Sequence, residues 1–272
     1  MKVCFLVSEY FAWGRFGGFG AIARTIAQGL RAAGQDIVVV VPRRKGQRPV
    51  EIIDGLEVRS YPGHSIFTTK VFQECDADIY HSFEASLPSF AAQRAMPNRK
   101  HIVTCIDPFD ANDWKMEFKF DLGQSVRRAS IYPLLWGFYG SPLVRSAVQH
   151  SDSVFCQADF LRPKVKRLYG LPYEPEFVPN AYHVPRKIAQ KATSPTVLYL
   201  ARWDPRKRPE IFFELAKQFP KVRFIAVGKA HDPKRHANLV ARYQNVPNLE
   251  LVGFVNPFES TRLREIIDQS WI

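Results

Sequence analysis

Residues 1–42 read MKVCFLVSEYFAWGRFGGFGAIARTIAQGLRAAGQDIVVVVP, and this stretch decides the fold. Val3–Val7 is an apolar run of strand length, followed by a loop carrying Gly14, Gly17, Gly18 and Gly20. Phe19–Ala33 then spaces its apolar residues at helical period and stops at Gly34, where a glycine readily takes the left-handed turn that ends a helix. Ile37–Pro42 is the next strand. A strand, a crossover helix and a second strand imply a right-handed βαβ unit with parallel strands.

The same rhythm continues outward. Leu56–Tyr61, Asp78–His81, His101–Cys105, Ser153–Cys156 and Pro175–Pro179 read as further strands. Helical segments lie near Thr69–Cys75 and Phe160–Tyr169, and an alanine-rich stretch, Ala85–Ala95, separates two of the strands. His183–Ser194 is polar and basic, bracketed by Pro185 and Pro195, and reads as a linker. After it the alternation restarts with three strands (Thr196–Ala201, Phe224–Gly228, Leu249–Phe254) and three helices (Pro209–Gln218, Lys234–Gln244, Glu259–Gln269). The expectation is an α/β protein of two Rossmann-like parallel-sheet domains facing a cleft, residues 1–184 and 185–272, the second one incomplete.

Composition is that of a globular chain: 46% hydrophobic, 13% aromatic and 24% charged over 272 residues, which excludes collagenous, coiled-coil and disordered readings. The net charge of +12 is concentrated after residue 150, where 20 basic residues face 12 acidic ones. Such an excess suits an anionic ligand, a membrane surface or nucleic acid. Cys4, Cys75, Cys105 and Cys156 form no CxxC or Cys/His cluster, so no metal site is expected and buried free thiols in a reducing compartment are. The start runs into a strand without a signal-peptide pattern, and no apolar run approaches the ~20 residues of a membrane span. A cytoplasmic protein, peripheral at a membrane at most, is expected.

Two loops carry candidate chemistry. In a parallel sheet, ligands bind beyond the carboxyl ends of the strands. The glycines of Ser8–Gly20 lie there, letting backbone N–H groups near a ligand beside a helix N-terminus that favours anions. The spacing is not GxGxxG, and taken alone a surface loop reads equally well. The second loop is Ala201-Arg202-Trp203-Asp204-Pro205-Arg206-Lys207-Arg208-Pro209, between a strand and a helix. Arg202 and Lys207 could hold a diphosphate and stabilise its charge as it leaves, with no metal. A solvated basic turn is the competing reading.

Five stretches in order along the chain resemble the retaining glycosyltransferases of family 4: the Gly17-Gly18 loop with ARTIAQGLRAAGQDIVVVVP; DADIYHS; SDSVFCQADFLRPKVKRLYGLP; FVPNAYHVP; and VLYLARWDPRKRPEIFFELAKQFPKVRFIAVGKA. The resemblance implies a GT-B fold and a nucleotide-diphosphate sugar as co-substrate, with no cofactor. By position, Arg202 and Lys207 match the pair that neutralises the donor diphosphate, and Gly17 and Gly18 match the loop near phosphates and transferred sugar. Gly228 matches the glycine ending the VG strand, where backbone approach to the nucleotide is implied. Asn180 falls in the family's PNG turn, with Ala181 in place of the glycine.

Two departures from the family pattern and one further segment bear on function. The histidine of the family's T-x-H-D segment is Ile106 here, leaving Asp107 and, separately, His81 as acceptor-side polar candidates. The family's glutamate-x7-glutamate segment, which binds ribose and donor sugar, would lie past Ile272, so the chain reads as a fragment lacking part of the donor site. Finally, Asp113–His150 interleaves Trp114, Lys115, Phe118, Lys119, Phe120, Arg127 and Arg128 with the apolar run Ile131–Tyr139. A helix packed in the first domain is the first reading, and peripheral contact with a membrane carrying a lipid-linked acceptor the second. Nucleic acid is not expected, since no binding motif accompanies the basic residues. The function implied is sugar transfer with retention to a glycan, lipid or small-molecule acceptor. The alternatives are a non-catalytic nucleotide- or glycan-binding relative and a sugar-nucleotide epimerase.

Overall fold

A computed structural model describes residues 1–10, 12–13, 17–62, 69–122, 129–182, 188–256 and 261–272. It divides into two compact units, Met1–His183 and Val184–Ile272.

The first unit is built on one eight-stranded sheet. Its strands are β1 (Lys2–Leu6), β2 (Asp36–Pro42), β3 (Val50–Ile53), β4 (Leu56–Tyr61), β5 (Ile79–Ser82), β6 (Lys100–Cys105), β7 (Ser153–Cys156) and β8 (Glu176–Phe177). Their order is β3-β4-β2-β1-β5-β6-β7-β8. All neighbours pair in parallel except β3 with β4, which form an antiparallel hairpin. Its turn is Asp54-Gly55, both at positive φ, the pairing a two-residue hairpin turn demands.

β1 alternates its faces. Val3, Phe5 and Val7 join Ala23 and Ala27 of α1 (Gly18–Ala32), while Cys4 and Leu6 join Val71, Phe72 and Cys75 of α2 (Lys70–Cys75) and Ala91 and Ala92 of α3 (Leu87–Ala95). A sheet covered on both faces explains the continuous apolar run of β2, with a fully buried valine contributing about 1.5 kcal/mol or more. All four cysteines are buried and free.

Within the segment expected as a packed helix, Pro142–Gln149 is one, burying Val144, Ala147 and Val148, whereas α4 (Ala111–Leu122) and α5 (Tyr132–Tyr139) have no buried residue. They hold each other through Trp114, which stacks on Tyr139 (centroids 5.8 Å apart) and meets Tyr132 edge-on, rather than through the core. Arg127 and Arg128 lie outside the described residues. α6 (Pro142–Gln149) and α7 (Arg162–Tyr169) complete the unit, packing Val144, Val148 and Val165 against β6 and β7.

The second unit has a parallel sheet of three strands, β9 (Thr196–Leu200), β10 (Arg223–Val227) and β11 (Leu249–Gly253), with β10 central. Its helices are α8 (Pro209–Gln218), α9 (Pro233–Tyr243) and α10 (Arg262–Gln269). Trp203, Phe213, Phe224 and Tyr243 form its main core. Trp271 and Ile272 pair with the backbone of Thr196 and Leu198, covering the outer edge of β9. No helix among the described residues is long and apolar enough to cross a membrane.

Candidate functional site

In the first unit, strand order reverses about β1, which has β2 on one side and β5 on the other. The carboxyl ends of strands at such a point splay their following loops apart and leave a crevice. A cavity of about 440 Å³ opens there, lined by Ser8 after β1, Glu84 after β5, and Ile106 and Asp107 after β6. Trp114, Trp136 and Tyr139 from α4 and α5 supply aromatic wall. Three other polar lining groups are already engaged: Asp110 accepts the N–H of Asn112 at the start of α4, Ser141 caps α6, and Arg145 donates to the Tyr169 carbonyl.

Glu84 is the titratable group this environment perturbs most usefully. Burial pushes its carboxyl up to about 7, and the charges of Glu9 and Asp107 add to this against a hydrogen bond from Ser8. Asp107 remains exposed at the rim. His81 sits elsewhere: its ring stacks on Phe83 (4.7 Å), meets Phe5 edge-on, and bonds Thr104 Oγ1 through Nε2 at 2.8 Å. Burial drives its pKa down to about 4, so it is a neutral packed residue and does not line the cavity. Ile106 is buried in the same core cluster as Phe5 and Phe83.

The glycine loop divides in two. A Cβ on Gly17 would fall 2.1 Å from Glu9 Oε1, because the Glu9 carboxylate lies at the start of α1 and accepts the Gly20 N–H at 3.3 Å. The helix end that favours an anion therefore already holds one of the chain's own. Gly18 faces open space among the described residues, and Gly14 lies outside them.

In the second unit, Arg202 and Lys207 both emerge beyond the carboxyl end of β9 and are exposed. The Tyr199 hydroxyl lies 2.8 Å from the Lys207 carbonyl oxygen and 3.3 Å from that of Arg202, which closes the loop between them. Beneath the Arg202 side chain lies Asp204, whose Oδ1 accepts the His231 N–H at 2.9 Å. Asp204 Oδ2 is 2.9 Å from His231 Nδ1 and 3.4 Å from Arg202 Nη1. Arg235 of α9 donates to the Trp203 carbonyl and pairs with Glu210, tying the loops after β9 and β10 together. Gly228 takes φ +141, and a Cβ there would lie 2.0 Å from the Ala201 carbonyl oxygen. The close approach it permits is thus to the chain's own backbone, and it serves by letting the two loops converge. Asn180 donates to Gln157, which in turn donates to the Ile106 carbonyl, a structural tie between loops.

Sequence reasoning missed Glu84, Asp204 and His231. A polar residue just past a central parallel strand was the available signal for the first, whereas His231 lies 29 residues from Arg202 and no local pattern joins them.

Three solved structures show the same fold at low identity. The catalytic domain of starch synthase IV from Arabidopsis thaliana, bound to ADP and acarbose, superposes with a TM-score of 0.60 at 11% identity, covering 99% of this chain and 76% of that one. HepE from Anabaena, in complex with UDP and glucose, gives 0.60 at 14%, covering 99% and 72%. The lipopolysaccharide outer core galactosyltransferase WaaB in its apo form gives 0.58 at 10%, with the same coverage. No curated protein sequence matches the chain. The family model for Glycosyltransferase Family 4 matches residues 16–186, well over half of the chain. By that match, and with a GT-B fold shared with these structures, the chain belongs to glycosyltransferase family 4.

Proposed function

We propose that this chain takes part in sugar transfer, with retention at the anomeric carbon, from a nucleotide-diphosphate sugar to a glycan, lipid-linked or small-molecule acceptor. The observation that carries the reading is the loop after β9, which presents Arg202 and Lys207 together at the carboxyl edge of the second unit's sheet. Two fixed cations there hold the donor diphosphate and stabilise the negative charge that grows as the sugar–oxygen bond breaks, and no metal is required. The acceptor hydroxyl attacks the same face, and its proton passes to the departing phosphate oxygen. ADP in one structural neighbour and UDP in another agree with such a donor. The phosphates are assigned to the second unit alone, because Glu9 occupies the α1 N-terminus behind Gly17.

The aromatic-walled cavity of the first unit is assigned to the acceptor, with Glu84 and Asp107 as its polar contacts. Lys115, Met116, Lys119 and Phe120 lie on one exposed face of α4, and Leu134 (72% exposed) and Trp136 (54%) project from α5. This apolar and basic surface suits peripheral contact with an anionic membrane, and so an acceptor presented from one.

Calorimetric titration with UDP, GDP and ADP tests the donor site. Bonds to a charged phosphate contribute about 1.5–3 kcal/mol each, so Arg202→Ala should weaken whichever nucleotide binds by roughly ten- to a hundredfold. Unchanged affinity in that variant would sink the reading. Binding without turnover of the matching nucleotide sugar, across acceptor panels, would select the non-catalytic alternative.

A further inference from the structure

We propose that His231 is a third phosphate-contacting residue of the donor site, held in place beside Arg202 by Asp204. This rests on the donor-site reading above and adds to it a residue from a different loop.

The geometry is a carboxylate beneath two outward-facing groups. The Asp204 side chain is 18% exposed, whereas those of Arg202 and His231 are 59% and 61% exposed. Asp204 grips His231 twice, taking its backbone N–H on Oδ1 and its ring Nδ1–H on Oδ2, both at 2.9 Å. With both ring nitrogens protonated, that pair of bonds fixes the ring's orientation and leaves Nε2–H to donate to a phosphate oxygen. Arg202 Nη1 lies 3.2 Å from Nδ1, so the guanidinium and the imidazole are adjacent on the surface. They come from the loops after β9 and β10, neighbouring parallel strands, and so from the edge where a parallel sheet receives its ligand. An anion settling on Arg202 therefore meets the imidazole as well. A carboxylate that orients an imidazole through one nitrogen while the other meets a ligand is a recurrent way of fixing a histidine for binding. The arrangement also accounts for Asp204: a carboxylate among phosphate-binding cations opposes the ligand unless it is needed to hold them.

The test is calorimetric titration of the full chain with UDP, GDP and ADP, on the parent and on Arg202→Ala, His231→Ala, His231→Gln, Asp204→Asn and the Asp204→Asn/His231→Ala double variant, each checked for parent-like thermal unfolding. His231→Ala should weaken the bound nucleotide roughly ten- to a hundredfold, a charge-assisted hydrogen bond's worth, and His231→Gln, which keeps a donor, should recover part of that. Asp204→Asn should weaken binding in the parent and add less than twofold in the His231→Ala background. That coupling is not expected of a carboxylate that only stabilises the fold. If Arg202→Ala weakens binding and His231→Ala does not, the proposal is overturned while the donor site stands. Equal losses from Asp204→Asn in both backgrounds overturn the Asp204 part. If no nucleotide binds the parent at millimolar concentration, or if Arg202→Ala is also silent, the donor site and this proposal fall together.

Discussion

Glu84 and His81 sit on either side of one strand end and load the first unit with opposite pH dependences that two substitutions should separate. His81 is held near 4 by burial, below the ~6.5 of an unfolded histidine. Between pH 6.5 and 4 the unfolded chain takes a proton that the folded one refuses, so this group's contribution to stability is lost as pH falls through that window. Glu84 is held near 7, above the ~4.3 of an unfolded glutamate. The unfolded chain releases its proton first, so stability is lost as pH rises from about 4.5 to 7. Each shift of about 2.5 units corresponds to about 3 kcal/mol at 1.36 kcal/mol per unit, and partial solvent access lowers this to about 2–3. In the parent the two slopes oppose one another between pH 4.5 and 6.5. Glu84→Gln removes one of them, so its stability relative to the parent should rise by about 2–3 kcal/mol between pH 4 and pH 8. His81→Phe, which keeps the stack on Phe83, should remove the other, gaining a similar amount relative to the parent between pH 7 and pH 4. A constant offset from the lost bond to Thr104 does not alter that slope. Urea dependence of hydrogen exchange in β1 and β5 amides reports the first unit by itself. Variants whose difference from the parent is flat across pH 4–8 would refute the assignment of these shifts to burial at these two residues.

Other substitutions test the packing and the surface. Gly228→Ala should destabilise the second unit by about 3 kcal/mol, since it combines a positive φ with overlap on a backbone carbonyl, whereas Gly17→Ala meets only the flexible end of Glu9 and should cost under about 1 kcal/mol; thermal unfolding compares the two. Replacing Leu134 by Glu and Trp136 by Ser together should lower sedimentation with vesicles of anionic lipid at least about tenfold without altering nucleotide affinity, and unchanged vesicle binding would remove the membrane from the account.

The β1–α1–β2 unit was legible because its periodicities are uninterrupted and Gly34 marks the helix end. The β3–β4 hairpin was half legible: Leu56–Tyr61 stood out, but Val50–Ile53 is short, exposed at alternate positions and announced only by Asp54-Gly55. Pro175–Pro179 shrank to the two residues Glu176–Phe177 at the sheet's edge, where one neighbour instead of two limits pairing. In α4 and α5 the aromatic residues suggested a core helix, yet those rings satisfy one another outside the core, which composition does not reveal. Arg202 and Lys207 were legible because one loop carries both. Glu84 with Asp107, and Asp204 with His231, come together only when separate strand ends align. His81 was ambiguous in the sequence because a histidine at a strand end can face either the crevice or the core, and the rings of Phe5 and Phe83 decide it.

The central claim is that the carboxyl edge of the second unit's sheet receives a nucleoside diphosphate. Backbone amide shifts of the isotope-labelled chain, followed during titration with UDP, GDP and ADP, test it most directly. The account predicts saturable shifts with at least one nucleotide, concentrated at residues 201–208 after β9 and 228–236 after β10. Shifts confined to the first unit, or none with any of the three at millimolar concentration, would contradict it.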